Sequence, residues 1–173
     1  MKKAIAFILL IIVLGAIGYI YLVNQTDLSV QIERLKLQHA IGHSSSPESI
    51  IIFSETLVKE INTENGIDET KLQFESYYWA AQGYNKKMAK YINKEKNRMY
   101  SVDCQKDEGM LEAIENYESA NTNLNRANES FVLVRDDFKI IEKEDLYNKL
   151  EGLEKAIEIN SAFLESACPA NFR

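Results

Sequence analysis

Proline is nearly absent from this chain: Pro47 and Pro169 are the only two, and none lies between them. Because proline breaks helix interiors, the intervening span is free to form long uninterrupted helices. β-Branched runs are also scarce, limited to Ile50-Ile51-Ile52 and Phe131-Val132-Leu133-Val134, which argues against a sheet. Histidine occurs twice and tryptophan once. A Ser–His–acid or Cys–His catalytic arrangement would have to draw on His39 or His43, so no catalytic residue is assigned and a non-enzyme is expected. Cations are outnumbered, 20 Lys and Arg against 26 Asp and Glu, giving a net charge of −6. Such a chain is a poor general binder of nucleic acid, and no nucleic-acid partner is expected. Repeats and low-complexity segments are lacking, and no motif points to a cofactor.

Long apolar runs are missing too, with one exception. Ala4 to Val23 carries no charge, and its twenty residues at 1.5 Å each span about 30 Å, the thickness of a bilayer's hydrocarbon core. Lys2 and Lys3 precede it and favour a cytoplasmic N-terminus, while Tyr19 and Tyr21 suit the far interface. Ala16-Ile17-Gly18 satisfies the small-x-small pattern of a cleaved signal, but the apolar Tyr19 to Val23 that follows is a poor flank for a peptidase. A pilin-like leader clipped at Ala4 lacks the acidic residue such subunits usually carry. The run is therefore expected to stay as an anchor in membrane lipid, with the remainder outside the cytoplasm. That remainder is the size of one ordinary domain.

The domain limits expected are a basic tail at 1–3, a transmembrane helix at 4–23 and a stalk helix with linker at 24–46. A helical bundle at 47–168 and a tail at 169–173 complete the chain. Leu28, Ile32 and Leu35 extend the anchor helix as a stalk, ended by Gly42. Ser46 before Pro47 reads as a helix start, in which serine caps and proline takes the first turn. Ile50, Phe53 or Ser54, Leu57 and Ile61 form that helix's apolar face. A turn at Thr63–Ile67 leads to Asp68, a candidate cap for a helix reaching about Tyr100.

Two seams then follow with alternating spacings of three and four residues. The first is Phe74, Tyr77, Ala81, Tyr84, Met88 and Tyr91. The second is Met110, Ala113, Tyr117, Ala120, Leu124, Ala127, Phe131, Val134, Phe138 and Ile141. Its alanines predict an unusually close neighbouring helix. A last helix carries Leu146, Leu150, Leu153, Ile157 and Leu164. Two arguments collide over where it starts, and the pairing of the two cysteines is favoured over the continuity of the seam. Position 136 lies midway between Cys104 and Cys168, so a hairpin turning within 130–137, capped by Asp136 or Asp137, brings them together. The rival is a turn near Glu144, suggested by the seam's continuity to Ile141, and it leaves them about 24 Å apart. Outside the cytoplasm such a pair tends to oxidise, so a Cys104–Cys168 disulfide is expected. The fold class is all-α, with an N-terminal transmembrane helix followed by an antiparallel bundle of three to four helices in coiled-coil-like packing.

Three features outside the core are candidate sites. His39 and His43 share a helical face at zinc-ligand spacing, but no third ligand is evident and no metal is assigned. Tyr78 and Trp79 lie beside a notch at Gly83. Lys86, Lys87, Lys90 and Lys94 begin the one basic block. These six aromatic and basic residues make up the candidate interaction surface, although the lysines also suit a helix C-terminus facing Glu108, Glu112 and Glu115. The expected role is a single-pass, membrane-anchored tether, scaffold or envelope-complex interaction module, with a protein partner or a second copy of itself. A small-ligand sensor signalling through a partner, or a secreted helical protein, is the alternative.

Overall fold

The computed structural model describes residues 27–172 apart from 43, 62, 64–65, 96–102 and 105. The anchor expected at 4–23 lies outside the described residues, and among those described no helix is long and apolar enough to cross a membrane. Five α-helices and no strand occur among the described residues. They are α1 (Leu28–Gln38), α2 (Pro47–Glu60), α3 (Gly66–Glu95), α4 (Glu108–Val134) and α5 (Ile140–Ala167), with 3-10 turns at Arg135–Asp137 and Pro169–Phe172.

The alanine seam organises the bundle. Ala81, Ala120 and Ala127 are wholly buried and Ala113 nearly so, and α3 and α4 form the most extensive helix pairing among the described residues. Small side chains at these sites let the backbones come together, and Phe74, Met88, Met110, Leu124 and Phe131 fill the space beside them. Each such burial stabilises the fold by about 1.5–3 kcal/mol. The pair is antiparallel, since Phe74 meets Phe131 at 5.7 Å between ring centres while Met88 and Ile92 join Met110 and Ala113 at the other end. Helix α5 returns alongside α3, burying Leu150, Leu153, Ile157 and Leu164. Its Asn160 amide donates to Asn85 of α3 at 2.8 Å.

The hairpin turns where the cysteines require it. α4 stops at Val134, and Cys104 and Cys168 form a disulfide with their Cα atoms 5.8 Å apart. The seam does not run as one helix to Ile141. The predicted caps are corrected: Lys139 precedes α5 as its N-cap, and its amide donates to Glu142 at 3.2 Å. Asp136 instead accepts from the Lys143 ammonium at 2.7 Å, and that hydrogen bond holds its carboxyl below the usual range.

At the other helix starts, Ser46 caps α2 as expected, accepting from the Ser49 amide at 3.1 Å with Pro47 in the first turn. Asp68 is not a cap; α3 begins at Gly66 and Asp68 lies in its first turn. Asp27 starts α1 afresh, with extended backbone and a carboxylate accepting from the Ser29 amide at 2.9 Å. The expected extension of one helix through this point is therefore interrupted. Nor does α1 stand apart as a stalk. Ile32 and Leu35 are buried against Phe53, Leu57, Ile61 and Leu72, which fixes α1 and α2 on the flank of α3. The helix ends before Gly42, in a turn where Ala40 adopts the left-handed conformation and the Ile41 amide donates to Lys36 O at 2.8 Å.

Candidate functional site

The Cα trace brings three helix starts to one end of the bundle. Asp27 and Leu28 open α1, Asp68 lies in the first turn of α3, and Lys139 leads into α5. Acidic residues are favoured in such first turns because they face the positive end of the helix dipole. Between the three lies a cleft of about 560 Å³, lined by Asp27, Glu33 and Lys36 of α1, Lys71 and Glu75 of α3, and Phe138, Glu142 and Asp145. Hydrogen bonds from Ser29 hold the Asp27 carboxyl below its usual range. The Lys71 ammonium sits 5.0 Å over the Phe138 ring.

Glu75 is a half-buried acid of this cleft. Burial raises its carboxyl above the ordinary range, against the opposing pull of the Lys36 charge and of a hydrogen bond from Trp79. That bond runs from the indole N–H to Glu75 Oε2 at 2.9 Å, one helical turn along α3. Lys36 of α1 lies 5.1 Å over the Trp79 ring and pairs with Glu33 at 2.6 Å. Next to it, burial and then the charges of Glu75 and Asp145 push the Tyr78 phenol upward. The arrangement can store a proton on a carboxyl where an exposed glutamate would have lost it.

The residues singled out from the sequence are dispersed. Trp79 packs edge-on to Phe53 of α2 at 5.7 Å and to Tyr78 at 5.6 Å, and Tyr78 stacks on Phe74 at 6.2 Å. The Gly83 notch is filled: a Cβ there would come within 2.6 Å of Ile51 Cγ1 and 3.2 Å of Pro47 O. Glycine at 83 serves the close approach of α2. Among the lysines, Lys87 bridges to Glu112 of α4 at 3.2 Å and Lys94 to Glu95 at 3.7 Å. Lys86 is half-buried, while Lys90 and Lys94 are exposed. His39 lies with its ring 6.1 Å from Phe53, and His43 falls outside the described residues. No group of three His, Cys, Asp or Glu able to hold a metal occurs among the described residues.

Sequence reasoning passed over Glu75 and Lys36. The signal available was local: an acid four residues before the single tryptophan places carboxylate and indole on one helical face. The contribution of Lys36 comes from a helix read as a stalk, so no spacing within the sequence points to it. Comparison with protein-family models, with curated proteins and with solved structures finds no match to this chain.

Proposed function

We propose that this chain is a single-pass membrane protein whose helical bundle stands outside the cytoplasm as a non-enzymatic tethering or scaffolding module. The observation that carries this reading is the Cys104–Cys168 disulfide, which joins the segment before α4 to the end of α5. Such bonds persist in oxidising compartments and are rare where thiols are kept reduced. The apolar run at 4–23, behind Lys2 and Lys3, supplies the anchor and its orientation. The chain enters the bundle at Asp27, beside the cleft, and the disulfide lies at the opposite end. A helix of 27 residues such as α4 separates the two by about 40 Å. Tight alanine packing through the middle supports a stiff spacer.

Partners are proposed on the outer faces, as a second copy of this chain or another envelope protein. Leu133 at 76% and Val132 at 59% exposure are apolar residues offered to solvent near the α4–α5 turn, with Tyr147 of α5 at 60%. A groove of about 900 Å³ runs between Val132 and Tyr147 and is rimmed by Arg135, Lys143 and Glu144. The exposed Lys90 and Lys94 present a separate basic edge toward the disulfide end. The sensing alternative rests on one observation, the cleft around Glu75. A thermal-shift screen of the whole chain with amines, amino acids and sugars supports sensing if one of them raises the melting point by several degrees.

Topology decides the main reading. Protease added to sealed cells should digest the bundle while cytoplasmic markers survive. Thiol-reactive polyethylene glycol should label neither cysteine until a reductant is added. A bundle protected until lysis, or cysteines labelled in native extracts without reductant, overturns the assignment. Crosslinking in intact membranes should then recover a partner through Leu133 or Tyr147.

A further inference from the structure

Among the described residues the four most exposed large apolar side chains are Leu37, Leu133, Tyr147 and Val132. They belong to two faces in the half of the bundle where the chain enters. One is the outer face of α1. Ile32 and Leu35 hold this helix to the bundle, which leaves Val30, Glu33, Arg34 and Leu37 on the opposite side, at the i, i+3, i+4 and i+7 spacing of one helical stripe. The other is the groove between α4 and α5, lined by the buried Phe131 and Leu150 and the exposed Val132 and Tyr147. Within one chain these faces cannot meet. Helix α1 flanks α5 on the side of Asp145 and Leu146, while the groove lies on the side of Tyr147 and Glu151.

We propose that the groove receives α1 of a second copy of this chain, with Val30 and Leu37 against its apolar lining and Arg34 among Glu144, Glu151 and Glu154. Charge selects this occupant. Those three carboxylates line the groove and have no ion-pair partner among the described residues, and neither has Arg34. The remaining charges are satisfied within each copy. Arg135 and Lys143 share Asp136 at 3.9 and 2.7 Å, and Glu33 pairs with Lys36 at 2.6 Å. The unpaired charges therefore decide the match, and charges at a rim set partner and orientation more than strength. The apolar stripe supplies the contact itself, in the manner of a helix laid in a groove.

Length and direction agree with this pairing. Helix α1 has 11 residues, a rise of about 16 Å, and Lys143 to Glu154 along α5 covers the same distance. Asp27 lies within reach of the Lys139 charge at the start of α5, and Lys36 covers Trp79 farther down α3, which runs parallel to α5. Copies standing the same way up therefore present α1 and the groove at one height. That orientation rests on the anchored-scaffold reading above, and the pairing names the scaffold's partner. Two different patches meet, so each copy keeps one of each unused, and association runs head to tail into a ring or a row. One short helix in a groove is a small contact, weak between free copies and strengthened where anchoring concentrates them.

Sedimentation equilibrium of the full-length protein in a non-ionic detergent should show reversible association beyond the dimer as its concentration approaches about 1 mM. Leu37→Glu removes the main anchor of α1, and Glu151→Lys with Glu154→Lys inverts the groove. Each variant should weaken association by about tenfold or more. All three positions are exposed, so circular dichroism should report the wild-type fold. Mixing the two variants should give one-to-one dimers and nothing larger, since one supplies an intact groove and the other an intact α1. Adding Arg34→Glu to the inverted groove in a single chain should recover its association. A wild type that stays monomeric, association that survives Leu37→Glu, a mixture that stays monomeric, or a failure of Arg34→Glu to rescue overturns this pairing. A different protein crosslinked at Tyr147, with the wild type monomeric, ends the pairing and leaves the scaffold reading standing. A bundle shielded in sealed cells ends that reading, while the mixture still decides the pairing.

Discussion

The two ends of the bundle are closed by different means. At one end Cys168, at 1% exposure, sits among Met88, Ile92, Met110, Ala113 and Leu164 and is covalently tied to Cys104. At the other, the rings of Phe74, Phe131 and Phe138 pack with centres 5.7 to 6.4 Å apart, and outside them lies the charged cleft. The first end is apolar and cross-linked. The second gathers three helix starts, whose dipoles favour carboxylates, and it relies on aromatic packing to keep those carboxylates over a dry core. A disulfide acts mainly by restricting the unfolded chain, whereas packed rings act within the folded state, so the two ends should fail differently when disturbed.

Phe74→Ala is the most damaging single change expected, at about 3–5 kcal/mol, because a side chain 1% exposed leaves a cavity among the rings that touch it. Chemical denaturation should show this loss, and hydrogen exchange should accelerate first around Phe131 and the α4–α5 turn. Replacing Cys104 and Cys168 together by alanine should cost about 4 kcal/mol, the chain-entropy value for a loop closed across a separation of 64 residues. Faster exchange should begin there at the last turn of α5. Should both variants loosen the same end first, the contrast drawn above is wrong.

Most of the packing was legible in advance because it obeys helical periodicity. The two seams, the Ser46 and Pro47 start and the partnership of the cysteines all follow from spacing and from proline chemistry. The hairpin position followed from a length argument, since equal arms are needed to bring positions 104 and 168 together. What escaped was local and unmarked. No glycine or proline signals the turn after Val134, and Lys139 is an unusual N-cap, so Asp136 and Asp137 attracted the assignment. Asp27 was legible as a cap by type, but the apolar spacing of Leu28, Ile32 and Leu35 continues the preceding pattern and conceals the break. Gly42 suggested a helix end that Ala40 makes instead, in a conformation alanine rarely adopts. The cleft was hidden because its walls come from three separate segments.

The polar link across the middle separates the two ends and can be tested by itself. Asn85 is 8% exposed and its carbonyl accepts the Asn160 amide across α3 and α5. A double-mutant cycle with leucine at both positions should give a coupling of about 1 kcal/mol. Register should suffer more than stability. A buried amide pair fixes one sliding position between two helices, while leucines tolerate several. If the double variant keeps the disulfide and the Phe74–Phe138 contact unchanged, register is set by the two ends alone.

The smallest effect expected concerns the basic stretch nearest the disulfide. Lys87 pairs with Glu112 at 3.2 Å, but Glu112 is 62% exposed at its side chain, and water and salt screen such pairs. Lys87→Ala should lower stability by no more than about 0.5 kcal/mol, and less at high ionic strength. The same substitution removes one cation beside Glu48, whose carboxyl is held low chiefly by backbone hydrogen bonding, then by a hydrogen bond from Ser46, and least by Lys90 and Lys87. That ordering implies that the start of α2 stays folded without Lys87. A loss larger than 1 kcal/mol would mean that the lysines of α3 hold this end together electrostatically. They would then have no charge to spare for a partner, and Lys90 and Lys94 would lose their place on the proposed interaction surface.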